Sequence, residues 1–220
     1  MYRLDLHTHS SASPDGGIKP DQYRQLLEKG IVDYVAVTDH NQIDAALELH
    51  KEFGEHVIVG EEIMTTKGEL VGLFLTKRVA PGQSPLKTAE AIKAQGGLVY
   101  VPHPFETARS GLQEVDLKPI AKLVDIMETH NGRAIPVIQD RSSIAVTWAL
   151  ENGTYVAASS DAHGMKGVGH TYTTIKEPFT SPSTIKVLQE AHLVSALPPL
   201  HSLLQPKYNR LSKKVRKADA

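Results

Sequence analysis

Short runs that are apolar on both faces alternate with amphipathic segments along most of this chain, and this alternation limits the fold more than any other feature. Ile31-Val32-Asp33-Tyr34-Val35-Ala36-Val37 is the clearest run. It reads as a strand covered on both sides, because a half-solvated strand would alternate apolar with polar residues. Between such runs the spacing predicts helices. One opens at Pro20, carries Tyr23, Leu26 and Leu27 on one face and stops at Gly30. A second runs from about Ile43 to Phe53 and closes at Gly54. A third opens at Ser84-Pro85 and ends at Gly96-Gly97. Two more are expected, from about Pro136 to Leu150 and from Ser181-Pro182 to about Ala191. Lys67-Gly68 marks a hairpin turn between Ile63-Met64-Thr65 and the run Leu70 to Leu75.

Roughly seven strands in this rhythm indicate a mostly parallel α/β fold of one domain, with a TIM-like barrel as first choice and an open doubly wound sheet as second. The regular pattern occupies residues 1–197. From Pro198 it fades, and Lys207, Arg210, Lys213, Lys214, Arg216 and Lys217 make residues 198–220 a basic tail, expected to be a solvated end.

Composition excludes several kinds of chemistry. There is no cysteine among the 220 residues, so disulfides, thiolate metal sites and a cysteine nucleophile are ruled out together. A formal charge of −1 predicts no strong whole-chain attraction for nucleic acid or an anionic membrane, so any such affinity must be local. No apolar run approaches membrane-spanning length, and a soluble, cytoplasmic protein without a membrane partner is expected.

The residues just past each strand share a chemical character. His7 and His9 follow the first strand, Asp39 and His40 the second, Glu61 and Glu62 the third; His103 and the pair Asp161 and His163 follow later ones. In α/β barrels the carboxyl ends of the strands carry the active site. Imidazoles and carboxylates without sulfur suit zinc, manganese or iron. They also outnumber the four positions of one tetrahedral ion, so two or three divalent metals are more economical. Closely spaced metals stabilise the attacking and leaving oxygens of a displacement at phosphorus and lower the pKa of a water, which makes metal-assisted hydrolysis the expected reaction class.

His7-Thr8-His9, Thr38-Asp39-His40, Gly60-Glu61-Glu62, His103-Pro104 and Ser160-Asp161-Ala162-His163, in this order, resemble the motifs of the polymerase and histidinol phosphatase (PHP) superfamily, most closely its short, stand-alone metal-dependent phosphoesterases. The similarity covers about Met1 to Ile175. It implies a distorted seven-stranded barrel and up to three metals hydrolysing phosphate esters of a small molecule or nucleotide. Carried over position by position, it implies His7, His9, Asp15, His40, Glu62, His103, Asp161 and His163 as ligands.

The chain departs from that pattern at Gly68-Glu69, where these phosphoesterases usually place a histidine. A carboxylate at Glu69 can still ligate, but it is a harder donor and adds negative charge, so that site is expected either to prefer manganese or iron or to be partly empty. Asp161 and His163 are expected at the reacting centre, with Arg109 and Arg133 as bidentate phosphate donors. Asp39 and Asp5 are expected to orient imidazoles, and His130 and His170 are candidates for protonating a leaving group. Two other functions fit less of the sequence. The basic tail suggests an exonuclease or phosphodiesterase on short nucleic acids, and Glu69 in place of histidine suggests a weakly catalytic metal-binding accessory module.

Overall fold

The computed structural model describes residues 1–134 and 141–218, with side chains to residue 215. Nine strands run in the order β1 (Tyr2–Thr8), β2 (Tyr34–Val37), β3 (Val57–Met64), β4 (Glu69–Leu73), β5 (Leu98–Val101), β6 (Ile126–Asn131), β7 (Tyr155–Ser159), β8 (Thr171–Ile175) and β9 (His192–Ser195). The helices are α1 (Pro20–Glu28), α2 (Asp44–Phe53), α3 (Pro85–Lys93), α4 (Glu114–Leu117), α5 (Ser142–Asn152), α6 (Leu200–Leu203) and α7 (Gln205–Ala218). Pro136, where the fifth helix was expected to open, lies outside the described residues. The segment opened by Ser181-Pro182 is a 3-10 helix, Pro182–Glu190.

All strands belong to one sheet of order β7-β6-β5-β4-β3-β2-β1-β8-β9. Parallel pairs join β1 to β2, β2 to β3, β5 to β6 and β6 to β7. The hairpin strand β4 is antiparallel to both neighbours, as are β8 and β9 at the far edge. The sheet then curls until its ends nearly meet. Thr8 bridges Ala162 in parallel, and the Thr173 hydroxyl donates to Ala158 O (3.0 Å) while accepting from Ala158 N (2.9 Å). The result is a nearly closed α/β barrel of one domain.

Two apolar layers hold it. Val35, Val37, Val57 and Val59 pack with Tyr23, Leu26, Ala46, Leu49 and Ile92 of the covering helices. Tyr34, Ala36 and Ile58 turn the other way to join Leu4, Leu6, Tyr100 and Ile126. Strict alternation fails in β1. Its register shifts between Asp5 and Thr8, so Leu4 and Leu6 pack in the layer of Tyr100 while the His7 ring also lies edge-on to Tyr100, 6.4 Å away. A bulge of this kind bends the strand and re-aims its side chains.

The basic segment is not an irregular end. It forms α6 and α7, and α7 inverts the usual amphipathic logic. Buried Asn209 and the Lys213 amine fasten it to the body, whereas Leu204, Tyr208, Leu211 and Val215 stay 58–67 % exposed.

Candidate metal centre

The strand ends converge as the parallel topology requires, and every residue expected to bind metal arrives within a single cluster. Four overlapping groups of donor atoms form: His9, Asp15, His40 and His163; His7, Glu62 and His103; His7, His9 and Asp161; and His40, Glu62 and Glu69. Glu62 is the hub. Its Oε2 lies 3.4 Å from His7 Nε2, 3.3 Å from His9 Nε2 and 3.2 Å from His40 Nδ1, and its Oε1 lies 3.0 Å from His103 Nε2. Asp161 Oδ1 faces His7 Nε2 (3.7 Å), His9 Nε2 (3.4 Å) and His163 Nδ1 (3.5 Å). Asp15 reaches His40 Nε2 and His163 Nε2, both at 3.5 Å. Glu69 reaches His40 Nδ1 at 3.4 Å and His103 Nε2 at 3.8 Å, so the chain's departure from the family pattern still lies against the cluster.

These spacings fit divalent ions. Ligands about 2.1 Å from a metal lie about 3.0–3.4 Å from one another in octahedral or tetrahedral arrangements. The Nε2 atoms of His7 and His9 approach to 3.2 Å with carboxylate oxygens on both sides. His9 and His103 turn their Nε2 atoms to the carboxylates of the cluster, while their buried Nδ1 atoms have no hydrogen-bond partner among the described residues. Because successive groups share His7, His9, His40 and Glu62, the donor set suits more than one ion.

Backbone conformation helps present the donors. His103 (φ 30°) and Asp161 (φ 51°) lie in the left-handed region, a costly geometry for residues with side chains and one that clusters at functional sites.

Several residues around the cluster act otherwise than expected. Glu61 points away, its Oε2 accepting from Val79 N at 2.7 Å, so strand alternation makes Glu62 the inward residue. Asp39 orients no imidazole; it ties down Ser10 through the backbone N–H (2.7 Å) and the hydroxyl (2.5 Å). Asp5 has no hydrogen bond to an imidazole among the described residues either, its Oδ1 accepting from Ser160 N and His7 N.

The residue that orients His7 is Glu128, inside β6. Its Oε1 lies 3.2 Å from His7 Nδ1 and accepts from the Tyr100 hydroxyl (2.7 Å); its Oε2 accepts from His103 N (2.5 Å) and Asn131 Nδ2 (2.8 Å). This leaves His7 Nε2 turned to the cluster. The signal was present in the sequence, since Glu128 follows the apolar run of its strand as the expected ligands follow theirs.

Arg109 is already engaged. Glu106 takes its fork (Nε 2.9 Å, Nη2 2.6 Å), and Nη1 donates to Asn131 Oδ1 and Asp161 Oδ2 at 2.6 and 2.8 Å. Arg133 is freer. Its Nη1 is 3.4 Å from Asp161 Oδ2 and its buried Nε has no partner. Neither His130 nor His170 lines the cavity above the cluster; His130 lines a separate one of about 140 Å³.

Three residues of α7, unforeseen in the sequence, complete the surroundings. Asn209 Nδ2 donates to Asp15 O (2.7 Å) and His163 O (2.9 Å), Arg210 Nη2 to Asp15 Oδ2 (2.7 Å), and Lys213 Nζ to the carbonyls of Ser11, Ser13 and Gly16. Gly17 permits this approach, for a Cβ there would come within 2.7 Å of Asn209 Nδ2.

Packing so many ionisable groups together displaces their titrations. Burial opposes ionisation of Asp161, but Arg133, His7 and neighbouring rings outweigh it and hold the carboxyl well below its usual range. Burial and then the Glu62 charge push Glu69 up to about 9. For His40 burial favours proton loss, yet Glu62, Asp15 and Glu69 prevail and push it up to about 9. Both groups therefore hold protons in the folded chain that the unfolded chain has released, and the stability they contribute is lost as pH rises toward 9. The metal-free chain should melt at a lower temperature at pH 9 than at pH 7, and a divalent ion should reduce the difference, because ligation displaces those protons. Scanning fluorimetry after chelation tests this, and a melting temperature that rises over this interval would refute it.

A family model described as PHP-associated matches residues 143–196. An uncharacterized protein of Methanocaldococcus jannaschii is 42% identical over 116 residues, spanning 47% of this chain and 68% of the relative. The chain belongs to the polymerase and histidinol phosphatase superfamily. A second uncharacterized protein from the same organism is 29% identical over 184 residues, covering 80% of this chain and 71% of that protein. Among solved structures, a two-domain protein from Bacteroides vulgatus containing a predicted PHP-like metal-dependent phosphoesterase superposes with a TM-score of 0.69 at 19% identity, over 95% of this chain and 69% of that one. An amidohydrolase from Chromobacterium violaceum, with sulfate bound and no metal, gives 0.61 at 16% identity over 86% and 97%. Among the described residues no helix is long and apolar enough to cross a membrane.

Proposed function

We propose that this chain hydrolyses phosphate esters of small molecules or nucleotides with two to three divalent ions, zinc, manganese or iron, held by His7, His9, Asp15, His40, Glu62, Glu69, His103, Asp161 and His163. The observation that carries the reading is the set of four overlapping donor groups with Glu62 at their hub, buried at the strand ends. Ions bound there would polarise a phosphoryl oxygen and acidify a coordinated water.

The protein's own contribution is placement. Glu128 fixes the His7 ring, Arg109 braces Asp161 from behind, and Arg133 keeps donors available for a phosphoryl oxygen at the edge of the cluster. Arg109 is thus assigned to positioning and Arg133 to phosphate contact. The cavity above them, about 680 Å³, is of a size that takes a small organic molecule. Sulfate bound to the Chromobacterium violaceum protein, an oxyanion of phosphate's shape, supports the same reading.

The test is reconstitution. Chain stripped by chelation and reloaded with manganese, zinc or ferrous iron should regain hydrolysis of an aryl phosphate or of a nucleotide panel, together with a metal content above one ion per chain. A single bound ion, or no hydrolysis with any of the three metals, would overturn the proposal.

A further inference from the structure

One wall of the cavity over the cluster belongs to α7 and carries more positive charge than a single phosphate requires. Lys207 and Lys214 both line it, as do Leu204 and Leu211. Lys207 and Lys214 are seven residues apart, two helical turns, which places them on one face of α7 about 10.5 Å from each other, with Leu211 between them in sequence and Leu204 just before the helix. Arg210 on the same wall is already paired with Asp15. Lys207 and Lys214 have neither a hydrogen bond nor an ion pair with any described residue. Below them the carboxylates Asp15, Glu62, Glu69 and Asp161 are each matched to imidazole or guanidinium partners. The two lysines are therefore surplus to the charge balance of the site.

Their placement is also rigid at the backbone. Asn209 and Lys213, on another side of the same helix, fasten it to residues 11–16 and to His163, so the lysines project from a fixed support. A binding wall ordered in advance loses less entropy when a ligand arrives.

We infer that Lys207 and Lys214 bind a second anionic group of the substrate, remote from the scissile phosphate, with the intervening skeleton lying along Leu204 and Leu211. The inference rests on the proposed phosphoesterase reading and narrows its substrate class to molecules bearing at least two anionic groups. A small bisphosphorylated compound and the next phosphate of a short nucleic acid share this chemistry.

The test compares linear alkyl monophosphates with α,ω-alkanediol bisphosphates of matched length, and measures binding of the non-hydrolysable alkane bisphosphonates by calorimetry. At an optimal chain length the bisphosphates should be favoured in kcat/KM by about tenfold or more, expressed in KM rather than kcat, the size expected of a charge-assisted contact. Combining Lys207→Gln with Lys214→Gln should bring the ratio of bis- to monophosphate near one, whereas Lys166→Gln, outside this cavity, should retain the preference. Equal kcat/KM for both series at every length, or a preference that survives the double substitution, would overturn the inference. Lysine-dependent bisphosphonate binding without hydrolysis of either series would uphold it and refute the hydrolase reading instead. A parallel arm with a short oligonucleotide ending in a phosphate assigns the source. A lysine-dependent gain there points to nucleic acid, and a gain confined to the alkane series points to a small molecule.

Discussion

Asparagine in place of Asp161 is expected to lower kcat/KM on a phosphate ester by about 10²- to 10³-fold, equivalent to several kcal/mol of lost charge stabilisation. The two carboxylate oxygens have different tasks. Oδ2 accepts from Arg109 Nη1, Arg133 Nη1 and Asn131 Nδ2, while Oδ1 faces the nitrogens of His7, His9 and His163. An amide has one acceptor and one donor end. Its oxygen must stay with the three donors, since an NH₂ group there would meet them head-on, and so the NH₂ is forced toward the cluster, where it cannot ligate. The substitution therefore removes a metal donor while preserving the shape and most of the hydrogen bonding. Metal content per chain should fall along with activity. Retention of both would show that Asp161 is only a partner for the arginines.

Glu128→Ala is expected to be the most damaging change to stability. It would strip an acceptor from the Tyr100 hydroxyl, His103 N, Asn131 Nδ2 and the His7 ring, all buried or nearly so. Breaking a buried charged network of this kind costs about 3–5 kcal/mol, which in a chain of this length lowers the melting temperature by roughly 10 °C. Freed of its partner, His7 should also weaken metal affinity by about 10- to 100-fold. Calorimetry and a metal titration measure the two effects separately. A melting temperature within a degree or two of the parent would show that water replaces the carboxylate without loss.

The fold was legible because its strands announce themselves. The double-faced apolar run ending at Val37 and the turn at Lys67-Gly68 are local signals, and the structure places β2 and the β3–β4 hairpin there. Most of the candidate cluster was legible for a related reason: parallel strands bring their carboxyl ends to one side, so donor residues after each strand must meet. What periodicity could not convey was long-range accommodation. The register shift in β1 between Asp5 and Thr8 depends on partners distant in sequence. Asp5 looked like the residue that orients an imidazole because it is near in sequence; Glu128, 121 positions from His7, does so in space. The last helix does not show in the sequence because its apolar stripe faces solvent and its polar side is docked, which reverses the pattern that marks a packed helix.

The contacts of Asn209, Arg210 and Lys213 with residues 11–16 join positions 194 to 202 residues apart in the chain. Such distant pairings are slow to form, because the closure of a long loop must precede any gain from the contact. During synthesis the N-terminal strand and its donor loop leave the ribosome long before the helix that fastens them exists. Folding of the metal-binding loop is therefore a late event, and the time between emergence of residue 17 and arrival of residue 213 is an interval in which the nascent chain holds its histidines without their final support.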